Sequence, residues 1–213
     1  MTDLWSERAD LYRAATEHAS GEDLELVVAW CGAGPGVMVL DVATGGGHTA
    51  RALRAAGCKV VTVDSAPGMG PDVISRAEEL PFADRSFDAA VSRIAAHHYE
   101  DVRGAVAEMA RVAPCVVVED TLYVSEEVEE AERLRDPTHV RSYSEGEWRA
   151  VFESAGLDVE EVAFVEKRRA VADWLARTGC AGEEEDRVRA LLGDQIEDGD
   201  YVDTKILLRG RTR

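Results

Sequence analysis

The chain has 213 residues and a formal net charge of -18, from 42 acidic against 24 basic side chains. Polyanions bind proteins through clustered Lys and Arg, and the densest basic run is Lys167-Arg168-Arg169, so nucleic acids and anionic membrane surfaces are poor partners. No apolar run nears the ~20 residues that span a bilayer, residues 1–10 lack the pattern of a secretory signal, and Cys31, Cys58, Cys115 and Cys180 are too far apart for a metal site. The expectation is a cytoplasmic protein with no metal and no stable membrane insertion.

Along the chain, Leu4 to Ala15 and Leu24 to Trp30 carry helical spacing. Val37 to Val42 (VMVLDV) is a continuous apolar run of strand length, as in a strand buried on both faces. Thr44 to Gly47 is a glycine turn, His48 to Ala56 a helix closed by Gly57, and Lys59 to Asp64 (KVVTVD) a second buried strand. This succession is a βαβ unit. Asp72 to Ser75 is a short strand candidate and Phe87 to Ser92 a strand. Asp101 to Val112 is an amphipathic helix ended by Pro114, and Cys115 to Asp120 (CVVVED) a β-branched strand. Ser125 to Arg135 reads as helical, and Ser144 with Glu147 forms a capping box for a helix to Ala155. Leu157 to Val165 is a strand, Val171 to Ala176 and Asp186 to Leu192 are helical, and Tyr201 to Leu208 is the last strand. Such alternation implies an α/β fold with a mostly parallel sheet and helices on both faces.

Ligands of open α/β sheets bind at the carboxyl ends of the strands, near the point where strand order reverses. The loop Asp41-Val42-Ala43-Thr44-Gly45-Gly46-Gly47-His48 stands at such an end, and Asp64 ends the second strand, where an acid accepts from ribose hydroxyls. Gly45-x-Gly47-x-x-Ala50 also satisfies the weak dinucleotide pattern, so two cofactors fit. A pyrophosphate is repelled by Asp41. S-adenosylmethionine, with its ammonium and sulfonium charges, is not, and Asp41 favours it.

The segments VLDVATGGGHTARAL, VVTVD and AEELPFADRSFDAAVSRIAAHHYED resemble class I S-adenosylmethionine-dependent methyltransferases. The branch resembled is the type 11 group related to ubiquinone and menaquinone biosynthesis C-methyltransferases, to which RDPTHVRSYSEGEWRAVFESAGL is also similar. The resemblance implies a Rossmann-like, mostly parallel seven-stranded sheet in one domain over residues 1–213. Residues 1–35 would form a helical lid and 36–213 the core, with a helical insertion at about 166–198. It further implies that Asp41, Ala43, Thr44, Gly45 and Gly47 lie along the methionine part of the cofactor, that Asp64 holds the ribose with Ser65 following, and that Ala77 and Glu78 edge the adenine. Ser92 and Arg93 would face the methyl-transfer site, and Tyr12 would shield the cofactor. Four places depart from the pattern: Ala43, Arg76 where an acid often contacts the adenine, Ser65 to Pro71, and Arg111 to Cys115, which lacks a Gly-Gly turn before the fifth strand. Ala43 replaces a glycine, which is tolerated where φ stays negative. Ser65 to Pro71 (SAPGMGP) is too short and too rich in Gly and Pro for the usual helix, so that wall of the adenine pocket is either open or covered by Met69.

If the acceptor is a phenol, enol or activated ring carbon, a base must take a proton, and histidine is suited to it near neutrality. His97, His98, His18 and His139 are the candidates. Adjacent residues are expected to diverge, so one at most of His97 and His98 should face the cofactor. The leading reading is a small-molecule methyltransferase whose acceptor, by resemblance, is a quinone-like or other ring compound. A non-catalytic S-adenosylmethionine-binding module and an NAD-type oxidoreductase stay open as alternatives, and so does a homodimer.

Overall fold

The computed structural model describes residues 4–15 and 18–213. Its strands are β1 (Met38–Val42), β2 (Lys59–Asp64), β3 (Val73–Ile74), β4 (Ala89–Arg93), β5 (Cys115–Thr121), β6 (Leu157–Ala170), β7 (Ile196–Glu197) and β8 (Asp200–Thr212). The sheet order is β3-β2-β1-β4-β5-β8-β6, with the two-residue β7 paired to β8 beside this seven-strand path. β1 to β5 run parallel, and β8 is antiparallel to both β5 and β6. The expected Rossmann-like fold is present.

The helices are α1 (Leu4–Ala14), α2 (Glu22–Trp30), α3 (His48–Ala55), α4 (Val102–Val112), α5 (Glu126–Arg135), α6 (Glu145–Ser154), α7 (Val171–Thr178) and α8 (Glu183–Leu192). Side chains alternate across each strand. Leu40 and Val42 of β1 therefore pack on one face with Val106, Met109, Trp148 and Phe152 of α4 and α6. Val39 packs on the other face with Val27 of α2 and Leu53 of α3. Trp148 and Phe152 are fully buried, and the capping box at Ser144 and Glu147 starts their helix as read from sequence.

Two boundaries differ from the expectation. α2 is a core helix beneath the sheet, so of residues 1–35 only α1 can serve as a lid. β6 continues past Val165 to Ala170, and β8 starts at Asp200. Their ladder runs unbroken from Glu161↔Arg209 to Ala170↔Asp200. The inserted helices α7 and α8 are carried at the end of this ladder, with a core of their own around Trp174, Val188, Leu192 and Tyr201. The segment Lys167-Arg168-Arg169 read as a basic run is strand, its charges alternating between faces.

The segment after β3 is held by side chains rather than by helical structure. Arg111 donates to the carbonyls of Phe82 (2.7 Å) and Leu80 (2.9 Å), and Glu108 accepts from the Leu80 N–H at 2.9 Å. The LPF sequence thus sits on α4, and this fixes the loop that precedes it.

Among the described residues four non-glycines have positive φ, and two of them, Ala43 (55°) and Ile94 (53°), follow the carboxyl ends of β1 and β4. The sequence reading required a negative φ at Ala43. The left-handed value corrects it, and the strain is the cost of a Cβ at a glycine position. Ala43→Gly should therefore stabilise the fold by about 0.5–1 kcal/mol after the added chain entropy of glycine is deducted. Urea denaturation checks this, and a lower midpoint in the variant would show the turn to be unstrained.

Candidate active site

The carboxyl ends of β1, β2, β4 and β5 open into a cavity of about 430 Å³, within the ~300–1,000 Å³ range of small-ligand pockets. Ala43, Thr44, Gly45, Asp64, Ser65, Ala77, Glu78 and Arg93 line it, as do Tyr12, His18, His97 and His98. Asp41, Gly47, Ser92 and His139 do not.

The first wall is the glycine loop. A Cβ built on Gly45 meets nothing within 4 Å, so this backbone is bare toward the cavity. The buried Asp64 carboxylate ties the loop to the one after β2, accepting from the N–H groups of Gly45 and Ala66, both at 2.9 Å. Carboxylate oxygens accept from more than one direction, so Asp64 can bind a ligand hydroxyl while holding both loops. Asp41 lies beneath the loop and accepts from the Thr44 hydroxyl at 2.6 Å. Burial pushes its pKa up to about 6, against the bonds it accepts. Gly47 caps α3 with a φ of 73°, so its role is to turn the chain. Ser92 pairs with the buried Tyr99 hydroxyl at 2.6 Å.

The second wall is α1. Its last turn approaches Gly46 so closely that a Cβ there would stand 2.4 Å from the Tyr12 carbonyl oxygen. That oxygen accepts from His48 Nε2 at 3.0 Å. The same helix reaches the loop after β2, where Ser6 Oγ accepts from the Gly68 N–H at 2.8 Å and Arg13 donates to the Gly68 carbonyl at 3.0 Å. Met69 is buried there against Ala9 and Ala66, with Trp5 and Tyr12 packed around them. The wall left without a helix is covered by Met69 and α1 together. Trp5, which sequence reasoning missed, lines the cavity and meets the His98 ring edge-on at 4.5 Å.

The third wall carries the histidines. The rings of His97 and His98 lie 4.0 Å apart and both line the cavity. The expectation that adjacent side chains diverge is corrected. It holds for strands, but the single 3-10 turn Ala96–His98 places both rings on one side. Their chemistry differs. Asp120, at the end of β5, accepts from His97 Nδ1 at 2.5 Å and from the His97 backbone N–H at 2.7 Å. Burial alone would raise Asp120, but the His97 ring outweighs it and keeps the carboxyl below its ordinary value. An ionised Asp120 fixes the Nδ1–H tautomer and leaves Nε2 as the acceptor. His98 donates from Nδ1 to the Thr138 carbonyl at 2.9 Å. Burial, then the His97 ring, drive it down to about 3, so it stays neutral. Burial, then nearby cations, also hold His18 well below its ordinary value. His139 is buried behind these rings, its Nε2 3.3 Å from Glu129. Asp120 was read only as the end of a strand; an acid at the carboxyl end of a parallel strand was its signal.

Arg93 is buried between Asp23 and Glu119 and donates to the His18 carbonyl. Burial raises Glu119 to about 8. Arg93 and Lys167 hold Asp23 well below its usual range against burial. Arg93 is thus a buried strut whose edge reaches the cavity. Among the described residues no group of three or more His, Cys, Asp or Glu side chains could hold a metal ion. None of the described helices is long and apolar enough to cross a membrane.

Residues 40–114 match the methyltransferase domain family. Over 208 residues the chain is 33% identical to the uncharacterized methyltransferase YcgJ of Bacillus subtilis, covering 86% of this chain and 82% of that protein. The crystal structure of YcgJ superposes with a TM-score of 0.81 at 28% identity, over 89% of this chain and 97% of that one. A putative methyltransferase of Bacillus halodurans C-125 superposes with a TM-score of 0.77 at 27% identity, over 90% and 99%. A shorter stretch of 97 residues is 40% identical to demethylmenaquinone methyltransferase of Renibacterium salmoninarum, 41% of each chain.

The approach of α1 to Gly46 gives a test of the lid. Gly46→Ala should push α1 off while the sheet stays folded. Amides of residues 4–14 should exchange about tenfold faster or more, the equivalent of a 1.4 kcal/mol loss of local stability. Unchanged exchange in the variant would show that α1 is not held at this contact.

Proposed function

The chain belongs to the class I methyltransferases, and on that premise we propose that it is an enzyme that methylates a small-molecule acceptor with S-adenosylmethionine. The observation that carries this is one cavity holding both a cradle, Gly45 with Asp64, and a carboxylate-backed histidine, His97 with Asp120.

The cradle fits the cofactor. The bare backbone at Gly45 admits a ligand that any Cβ would displace. Asp64 accepts from ribose hydroxyls, and Ala77 and Glu78 line the far side for the adenine. Asp41 places negative charge under the loop, where it favours a cationic methionine end without touching it. When bound, S-adenosylmethionine supplies a methyl group on a positively charged sulfur. Catalysis is then mostly positioning, worth up to roughly 7–11 kcal/mol. The chain's part is to hold the acceptor against that methyl group under α1 and to take its proton.

His97 is the base in this reading. Asp120 presents its Nε2 lone pair and stabilises the imidazolium that forms. His98 is too weak a base at neutral pH and serves as a neutral wall beneath Trp5. The partial similarity to a demethylmenaquinone methyltransferase supports a ring acceptor, as do Trp5 and Trp174 in the lining.

Calorimetry with S-adenosylmethionine and S-adenosylhomocysteine tests the cradle. Both should bind and NAD should not, and Asp64→Ala should weaken binding by roughly 1–3 kcal/mol. Equal affinity in the variant would remove Asp64 from the site. For the base, His97→Ala and Asp120→Asn should lower kcat by about 10²–10⁴-fold and leave S-adenosylhomocysteine affinity intact. Full activity of either variant, with an acceptor found by screening the cofactor-bound protein, would overturn this assignment.

A further inference from the structure

The cavity has a second end, beyond His97, at the carboxyl ends of β5 and β6 and the start of β8. In a chain of net charge -18, its lining there is cationic. Arg93, Arg135, Arg169, Arg177 and Lys205 line it against two carboxylates, Glu132 and Asp203. Five elements, β4, α5, β6, α7 and β8, supply one cation each, so their meeting comes from the fold and not from a local run.

The acids do not use up this charge. Asp203 is shared by Arg169 and Lys205, at 2.6 Å from each. Glu132 accepts from the Tyr201 hydroxyl at 3.2 Å and stands 3.8 Å from Arg135. Asp136, behind the lining, is split between Arg8 and Arg135, each at 3.5 Å. Nε of Arg135 is buried with no hydrogen-bond partner among the described residues. A buried guanidinium N–H without an acceptor is costly, and Glu132 Oε2, at 3.8 Å, is too far to satisfy it. The cationic corner also has aromatic floors. Arg135 lies 4.2 Å over the Trp174 ring, and the Trp174 and Tyr201 rings meet at 4.5 Å with a tilt of 47°. The ring face supports the Arg135 guanidinium, a group suited to two-point recognition of an oxyanion. The positive field is felt by His18, where Arg169, Arg93 and Lys205 add to burial in keeping the ring neutral. Thr121, which accepts from Lys205 at 2.6 Å, follows Asp120 in β5, so the corner adjoins the proposed base.

We propose that the methyl acceptor is an anionic small molecule whose carboxylate or phosphate group docks among Arg135, Arg169, Arg177 and Lys205, leaving its reactive atom at His97. This rests on the methyltransferase reading and narrows the acceptor from ring compounds in general to acidic ones; a neutral quinol gains nothing from this corner.

The test is calorimetry on the full chain with S-adenosylhomocysteine present. The probes are benzoate, 4-hydroxybenzoate and inorganic phosphate, against benzamide and 4-hydroxybenzamide. The anions should bind about tenfold tighter or more than the amides, the scale of a charged hydrogen bond. Arg135→Gln and Arg177→Gln should each erase about that factor while S-adenosylhomocysteine affinity is unchanged. The comparison of acid with amide needs no variant, so a misfolded variant does not spoil it. Equal binding of acids and amides overturns the proposal, and so does an anion preference that survives in both variants. Anion binding without any S-adenosylhomocysteine binding would instead support the corner and sink the methyltransferase reading on which it rests.

Discussion

The carboxylate of Asp64 is the point on which the cavity is assembled. It accepts from Gly45 on one side and Ala66 on the other, so the loops after β1 and β2 form one rigid rim. Everything above it depends on that rim. α1 rests on both loops, through Gly46 and through Gly68. Trp5 and Tyr12 reach the cavity only because α1 is seated. A carboxylate fits this position because two backbone N–H groups converge on it, and charge-assisted bonds of that kind are shorter and stronger than neutral ones.

The central βαβ unit was legible because its strands are continuous apolar runs and its turn is glycine. That Gly45 and Asp64 stand together at strand ends was legible for the same reason, since a glycine turn and a strand-end acid leave clear marks. Other parts were not. Ala43 adopts a left-handed φ that its residue type argues against, and only the close fit of the sheet imposes it. His97 and His98 were expected to point apart, because the rule for neighbours assumes a regular strand, and a single 3-10 turn follows another rule. The role of Asp120 depends on the chain doubling back after β4 to bring His97 over β5. The cationic corner was least legible of all. Arg135, Arg169, Arg177 and Lys205 are spread over four elements, α5, β6, α7 and β8, and whole-chain charge hides them.

Charge is paired at depth in this protein. Arg93, Arg135 and Lys205 are buried, and each has buried carboxylates beside it. Ion pairs this deep cost desolvation that their attraction only partly offsets. Arg93 illustrates it: Asp23 stays ionised beside it, while burial drives Glu119 toward its neutral form. A fold that needed only stability would place apolar side chains there. Arg93, Arg135 and Lys205 instead line the cavity.

The long ladder of β6 and β8 has a consequence for how such a protein diversifies. It carries α7 and α8 beyond the sheet on a core of their own, and that extension supplies Arg169, Trp174 and Arg177 to the cavity. The loops of β1 and β2 supply the opposite end. Substitutions in residues 166–200 can therefore reshape one end of the pocket while the other keeps its own packing unit, the two being joined where Arg8 of α1 donates to the Thr178 carbonyl at 2.9 Å. An altered extension can thus change the charge and shape of one end of the pocket while Asp64 still ties Gly45 to Ala66 at the other.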